Sequence, residues 1–441
     1  MPIIVLIPTV VCIVALFRDS VQKAFLNVYL TIFMLFPIYY WWKVAALPPI
    51  DVSEAVLLPL GIAILIRELP AWRVSTMDLW VCGFIFTSYY ADSLARLDTA
   101  STFDLFSNVI IAGVPYMAGK LLIEQKHARI ATLKRIVFLL FVASLIGAYE
   151  YRMGQNPFSL FWSRFFPGET FAWKTQIRWG FGRLSGPYGQ SELAGIIIFF
   201  GLVFTLYLNQ FKLWEPRFSR APWLPWTKAR ILTWVIALTL LMTQARGPWL
   251  GAMVAVPVAL IGRSKRTLRT LLLVAGIGLI VAPIIYLGLK QYASAGAPSS
   301  SEQESAAYRS QMIAAYIPIA KQGGPWGWGQ NFPHVMGFDS IDNEYLFVAL
   351  TQGWVGLACF CLIAAQTLGN LLSITFFGKS QQDRAFGWSM LGIVLGFLLT
   401  VFTVYLGNQP FELFFLQAGW SEALRTRRAE QPHLAFQQVY T

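Results

Sequence analysis

The sequence predicts an all-α polytopic membrane protein, with about 12 transmembrane helices and a large outer loop. Three observations predict it. The 441 residues are 56% hydrophobic, with a mean hydropathy of +0.56. Asp, Glu, Lys and Arg make up only 13% of the chain, about half the usual share of a soluble domain. Long apolar runs recur along the whole length, which a single signal peptide or buried core helix does not produce. The length suits one membrane domain, 1–441, rather than several soluble ones.

The candidate spans are 2–17, 24–42, 53–66, 77–91, 103–122, 133–149, 191–209, 230–244, 249–262, 270–288, 344–373 and 386–406. A short apolar piece at 411–419 reads as a re-entrant or half-crossing helix. Several runs fall below the ~20 residues that cross the hydrocarbon, so their boundaries are approximate. Segment 1–17 lacks a basic n-region and a small-residue cleavage site, and reads as a retained helix.

Lys and Arg number 34 against 22 Asp and Glu, a formal charge of +12. In a soluble chain that balance points to nucleic acid; here it reads first as topology, and no nucleic-acid partner is expected. Basic residues gather in 120–135 (from Lys120 to Arg135), 210–230 (from Lys212 to Arg230) and 263–269 (from Arg263 to Arg269), which the positive-inside tendency makes cytoplasmic. The two longest polar segments, 150–190 and 290–343, then share the opposite face. Arg425, Arg427 and Arg428 prefer the cytoplasm and argue for an extra crossing at 411–419. Cys12, Cys82, Cys359 and Cys361 all sit in apolar runs without metal-site spacing, and read as small buried residues.

Loop 290–343 opens on a flexible Gly/Ser/Pro stretch, then AAYRSQMIAAYIPIA has helical spacing, with Ala307, Met312, Ala315 and Ile319 on one face. GGPWGWGQNFP forces turns, and SIDNEYLFVAL feeds into an apolar run. Loops of this length are usually lids or binding surfaces.

The candidate site residues lie at outer helix ends. Arg246, in TQARGPWLG, is a guanidinium at a membrane edge, costly unless paired or snorkelling. Gly247 and Pro248 are expected to break the helix there and bare backbone N–H groups, which suits a pyrophosphate clamp; a headgroup anchor is the other reading. Arg183 sits among glycines in WGFGRLSGPYGQ, with Arg178 five residues earlier. Arg309 lies on the loop helix, where Glu302 and Glu304 offer an ordinary surface pair. Asp342 and Asn343 precede the apolar run: Asp342 suits a general base, with Asp339, Glu344 and His334 as rivals, and helix capping is the alternative for both. Trp326 and Trp328 flank Gly327 and could stack on sugar rings or anchor at the interface. No motif for ATP, zinc or NAD starts a cofactor argument.

Three blocks carry a family resemblance. GRLSGPYGQSELAG, TQARGPWLG, and the run YRSQM, GPWGWGQNF, IDNEYLFVALTQGWVG together resemble the O-antigen ligase and polysaccharide polymerase superfamily, in order and topology. The resemblance implies a metal-independent, cofactor-free membrane glycosyltransferase of the GT-C type in the bacterial inner membrane. Loops 150–190 and 290–343 become periplasmic, the second carrying active-site elements. The donor it implies is a glycan on undecaprenyl pyrophosphate, and the acceptor a lipid-linked glycan or a lipid A core sugar. Arg183, Arg246 and Arg309 match the family's periplasmic arginines and would hold the pyrophosphate. Ligases tend to carry His-Asn where this chain has Asp342-Asn343, which leans the reading toward a polymerase of exopolysaccharide or O-antigen units. A ligase, a lipid-linked saccharide flippase and a non-catalytic assembly subunit are the rivals. A flippase should place its charge at midplane rather than at helix ends.

Overall fold

The computed structural model describes residues 3–96, 98–166, 174–218, 223, 225–264, 268–273, 276, 301–338 and 340–437, without the side chains of 301–306, 408 and 427–437. About three quarters of the structure is helical; the strands among the described residues are the pair Ile177–Arg178 and Phe181–Gly182. By length and composition 5 helices can cross a membrane: Asp98–Ile123, Arg129–Met153, Ser191–Gln210, Gly353–Phe377 and Gln381–Thr400. Ile3–Arg18, Val21–Leu35 and Arg246–Ile261 are shorter apolar helices. The expected span 270–288 falls almost wholly outside the described residues.

Glycines let the helices of the bundle touch. A Cβ at Gly392 would lie 2.4 Å from the Ala255 oxygen, and one at Gly396 2.4 Å from the Gly251 oxygen. Arg246–Ile261 and Gln381–Thr400 therefore pack backbone to backbone, the small-residue device of membrane helices.

Several expected spans differ from the helices observed. The run 24–42 stops being helical at Leu35, because Phe36 precedes Pro37 and is extended (φ −116°, ψ 136°). The run 344–373 breaks into Glu344–Thr351 and Gly353–Phe377 at Gly353, which has φ +68°. Lys120 is not a loop residue: it sits within the helical segment Asp98–Ile123, buried, with its ammonium 2.6 Å from Asp78. Cys12 and Cys359 are buried as expected, but Cys82 and Cys361 are exposed on the helix surface.

The largest departure is the segment around 411–419, which belongs to one helix, Asn408–Gln437. Its first half is buried, polar side chains included. Glu412 accepts from Tyr29 Oη (3.0 Å) and Ser53 Oγ (2.9 Å), and Glu422 from Gln366 Nε2 and Asn370 Nδ2 (2.7 Å each). Polar groups paired inside a bundle lower the mean hydropathy of a helix without making it a surface helix.

The loops sort into two ends. At one end Lys126 pairs with Glu68, Arg129 with Asp383, and Lys134 and Lys228 with Glu215. At the other, Gln330 N donates to Asp92, Leu184 N to the Met242 carbonyl, and Glu344 N to the Val401 carbonyl. The described parts of segments 150–190 and 290–343 join the second set.

Candidate active site

Arg183 follows a hairpin. Arg178 pairs with Phe181, and the two residues between them, Trp179 and Gly180, both have positive φ (53° and 78°). This is the two-residue turn whose twist matches the flanking strands. Beneath it the fully buried Glu150 gathers the loop, accepting from Ser185 N (3.0 Å), Ser185 Oγ (2.8 Å), Gly186 N (2.8 Å) and Thr175 Oγ1 (2.9 Å). With the loop fixed, the Arg183 guanidinium is 6% exposed and donates to Gln176 Oε1 and Glu192 Oε1, while its Nε finds no hydrogen-bond acceptor.

Arg309 arrives from the helix Ser301–Gln322. That helix forms as its apolar spacing predicts, with its buried stripe on Met312, Tyr316 and Ala320; Ala315 and Ile319 of the expected face flank it, partly buried. The stripe packs on Phe332, Ile341 and Leu346 in a small core separate from the main one. The Arg309 Nε has no hydrogen-bond acceptor and lies 3.8 Å from an Asp342 oxygen. The other Asp342 oxygen accepts from Ser340 Oγ at 2.9 Å. The side chains of Glu302 and Glu304, the pairing alternative for Arg309, lie outside the described residues, as does Asp339.

Arg183, Arg309 and Asp342 line one cavity of about 440 Å³, closed on one side by Thr403, Val404 and Tyr405. Two guanidiniums with uncommitted N–H groups beside a carboxylate can bind an anion and accept a proton in the same space. Lys174, Gln176, Gln190, Glu192 and Tyr405 also line it and were not among the site residues expected from the sequence. An acidic residue one place into an apolar helix, as Glu192 is, was the signal available in the sequence.

The remaining candidates stand elsewhere. Arg246 is exposed at the first position of Arg246–Ile261, outside the cavity lining. Gly247 and Pro248 do not break a helix but start one; the break precedes them, at Gln244, with φ +49°. A Cβ at Gly247 would sit 2.6 Å from Thr403 Oγ1, so Arg246 is next in sequence to a residue touching the cavity wall. Arg178 donates to the Gln244 carbonyl (2.9 Å) and ties the hairpin to that break. Asn343 is the N-cap of Glu344–Thr351, accepting from Leu346 N at 2.9 Å, so the capping role falls to it rather than to Asp342.

Trp328 packs with the small core, its Nε1 donating to the Ile319 carbonyl (2.9 Å) and its backbone N to the Leu350 carbonyl (2.8 Å). Its ring is a packing element rather than a free stacking face. Trp326 is half-buried, edge-on to Tyr90 at 4.7 Å. His334 is exposed and lies over Phe332, away from the cavity lining.

No curated protein matches the chain. A family model described as O-antigen ligase matches residues 231–361, a stretch that holds Arg246, Arg309 and Asp342 but not Arg183. Over that stretch the chain is similar to the O-antigen ligases, a family of glycosyl-transferring enzymes.

Proposed function

We propose that this protein transfers a glycan from undecaprenyl pyrophosphate to an acceptor sugar hydroxyl, at the periplasmic face of the bacterial inner membrane, polymerising O-antigen or exopolysaccharide units. The observation that carries the reading is the shared cavity of Arg183, Arg309 and Asp342. Both arginines keep an Nε without an acceptor, which suits pyrophosphate oxygens. The acceptor hydroxyl attacks the anomeric carbon of the donor's first sugar as the bond to the pyrophosphate oxygen breaks, inverting that centre without a metal. The arginines stabilise charge growing on the leaving pyrophosphate, and Asp342 takes the hydroxyl proton.

The Arg309–Asp342 contact couples the two halves of this scheme. An arriving pyrophosphate competes for the Arg309 guanidinium and leaves Asp342 free to act as base. Arg246, next to the Gly247 that packs on Thr403 of the cavity wall, would meet the lipid side of the donor. Asp342-Asn343 in place of the ligases' His-Asn favours polymerase over ligase.

Purified protein in nanodiscs with a lipid-linked repeat unit tests the reading. Lengthening of the lipid-linked glycan that R183A abolishes supports it. Transfer only to a lipid A core acceptor would make the protein a ligase, and movement of the donor across the bilayer without a new glycosidic bond would make it a flippase.

A further inference from the structure

A second cavity, of about 550 Å³, meets the first at Gln190 and Tyr405, which line both. Its chemistry is the reverse of its neighbour's. Asp51, Glu54, Asp104, Glu344 and Glu412 line it, and among the described residues no Lys, Arg or His does. Between the carboxyls stand planar amides, Asn108, Gln330 and Gln352, and aromatic rings, among them Trp41 and Phe347.

Most of these carboxyls have a structural partner on at least one oxygen. Glu54 accepts from Ser107 Oγ and from Asp51 N (3.0 Å), and Glu344 from Leu406 N (2.8 Å). Glu412 is fully buried; its Oε2 takes Tyr29 and Ser53, and its Oε1 has no partner at all. An unpaired carboxylate oxygen in a buried polar site is costly unless a ligand or water supplies a donor. Burial, and then the neighbouring Glu54 and Glu412, push the Asp51 carboxyl well above its usual range. Among the described residues no three acidic, His or Cys side chains converge as metal ligands.

We infer that this cavity is the acceptor-sugar subsite, and that the sugar it takes is neutral or amino-substituted, bearing neither phosphate nor carboxylate. Carboxyl and amide groups match the hydroxyl edges of a pyranose, and aromatic rings match its apolar face. The volume is that of an ordinary small-ligand pocket. A phosphorylated or uronic acid residue would bring its own negative charge into a buried cluster of carboxyls whose described lining offers no cation to balance it. The inference rests on the glycosyl-transfer reading above: the basic cavity holds the anionic leaving group, the acidic one the hydroxyl donor, and the reacting atoms meet beside Gln190 and Tyr405.

The test uses the full chain in nanodiscs and saturation-transfer NMR with three trisaccharides at millimolar concentration: chitotriose, its deacetylated amine form and trigalacturonate. Chitotriose and the amine should bind and trigalacturonate should not. D104N and E412Q should each weaken chitotriose at least about fivefold, while K126A, beside Glu68 at the opposite end, leaves it unchanged; D104N guards against a fold defect in the more buried E412Q. Absence of binding by both chitotriose and the amine, equal binding of trigalacturonate, or indifference of the bound sugar to both variants overturns the inference. Inorganic pyrophosphate is titrated in parallel. If its binding is absent or insensitive to R183A while chitotriose still binds, the donor reading fails and the sugar subsite stands.

Discussion

The Nε of Arg309 lies 3.8 Å from a carboxylate oxygen of Asp342, and the two side chains are about equally exposed, at 35% and 33%. The distance is that of an ion pair without a hydrogen bond, and at this exposure such a pair adds little stability. Its interest is chemical, because one partner suits an anion and the other suits a proton. R309A should lower transfer by about 10²–10³-fold, the loss seen when one charge-stabilising donor is removed. R309K should recover only part, since Lys lacks the planar fork. The rate with purified lipid-linked donor decides it, and a normal rate in R309A removes this arginine from the site.

Arg183 differs from Arg309 in being buried and tied to Glu192 and Gln176. Truncating it leaves Glu192 without its cation, so R183A should lose thermal stability as well as transfer. R183A/E192Q should regain the stability but not the rate. Recovery of both would make the pair purely structural.

Gly327 and Gly353 lock the GPWGWG turn onto the break between Glu344–Thr351 and Gly353–Phe377. Their φ values are +75° and +68°, and a Cβ would fall 2.5 Å from Gly353 N and 2.4 Å from Gly327 N respectively. G327A and G353A should therefore each cost more than the ~1–2 kcal/mol of left-handed backbone strain alone. Gly324 has φ +65° with open space around its Cβ position, so G324A pays only the strain. Thermal midpoints of the three variants should rank accordingly; equal midpoints would remove the packing argument.

Much of this arrangement was legible in the sequence, and the illegible parts share a cause. Apolar runs found most helices, and the AAYRSQM spacing found the helix that carries Arg309. The sequence put Arg183, Arg309 and Asp342 on one expected face but did not show that they converge; the shared cavity brings them together. The break beside Arg246 falls one step earlier than expected because Gly247-Pro248 reads as a breaker, whereas Pro in a first turn costs no hydrogen bond. The helix Asn408–Gln437 was seen only in part because Glu412, Gln417, Ser421 and Glu422 are buried, and partners contributed by distant segments, such as Tyr29 and Asn370, leave no local signal. The acidic cavity is hidden for the same reason: its carboxyls come from four separate segments.

The two-ended sorting of loops makes a labelling prediction. Met336 is 98% exposed and lies in the segment that follows Arg309. In a chain whose native cysteines are replaced, M336C should react with a membrane-impermeant maleimide from the periplasmic side. K126C, beside Glu68 at the opposite end, should react only after the inner membrane is opened. The reverse pattern would invert the orientation and put both cavities on the cytoplasmic side.

The adjacent residues Asp342 and Asn343 give the sharpest separation of chemistry from structure. Sequence reading left both with a capping role and a site role. Asn343 takes the cap, accepting from Leu346 N, and is buried. Asp342 faces the cavity beside Arg309 and Ser340. N343A should therefore lower thermal stability by the ~0.5–2 kcal/mol that a lost N-cap costs, and N343D should largely restore it. D342N keeps the side-chain shape and its bond from Ser340 but cannot take a proton. It should keep a normal thermal midpoint while transfer falls by about 10²–10⁴-fold, the range for a missing general base. A D342N rate equal to the wild type across pH would pass the assignment to Glu344, which lies in the neighbouring cavity.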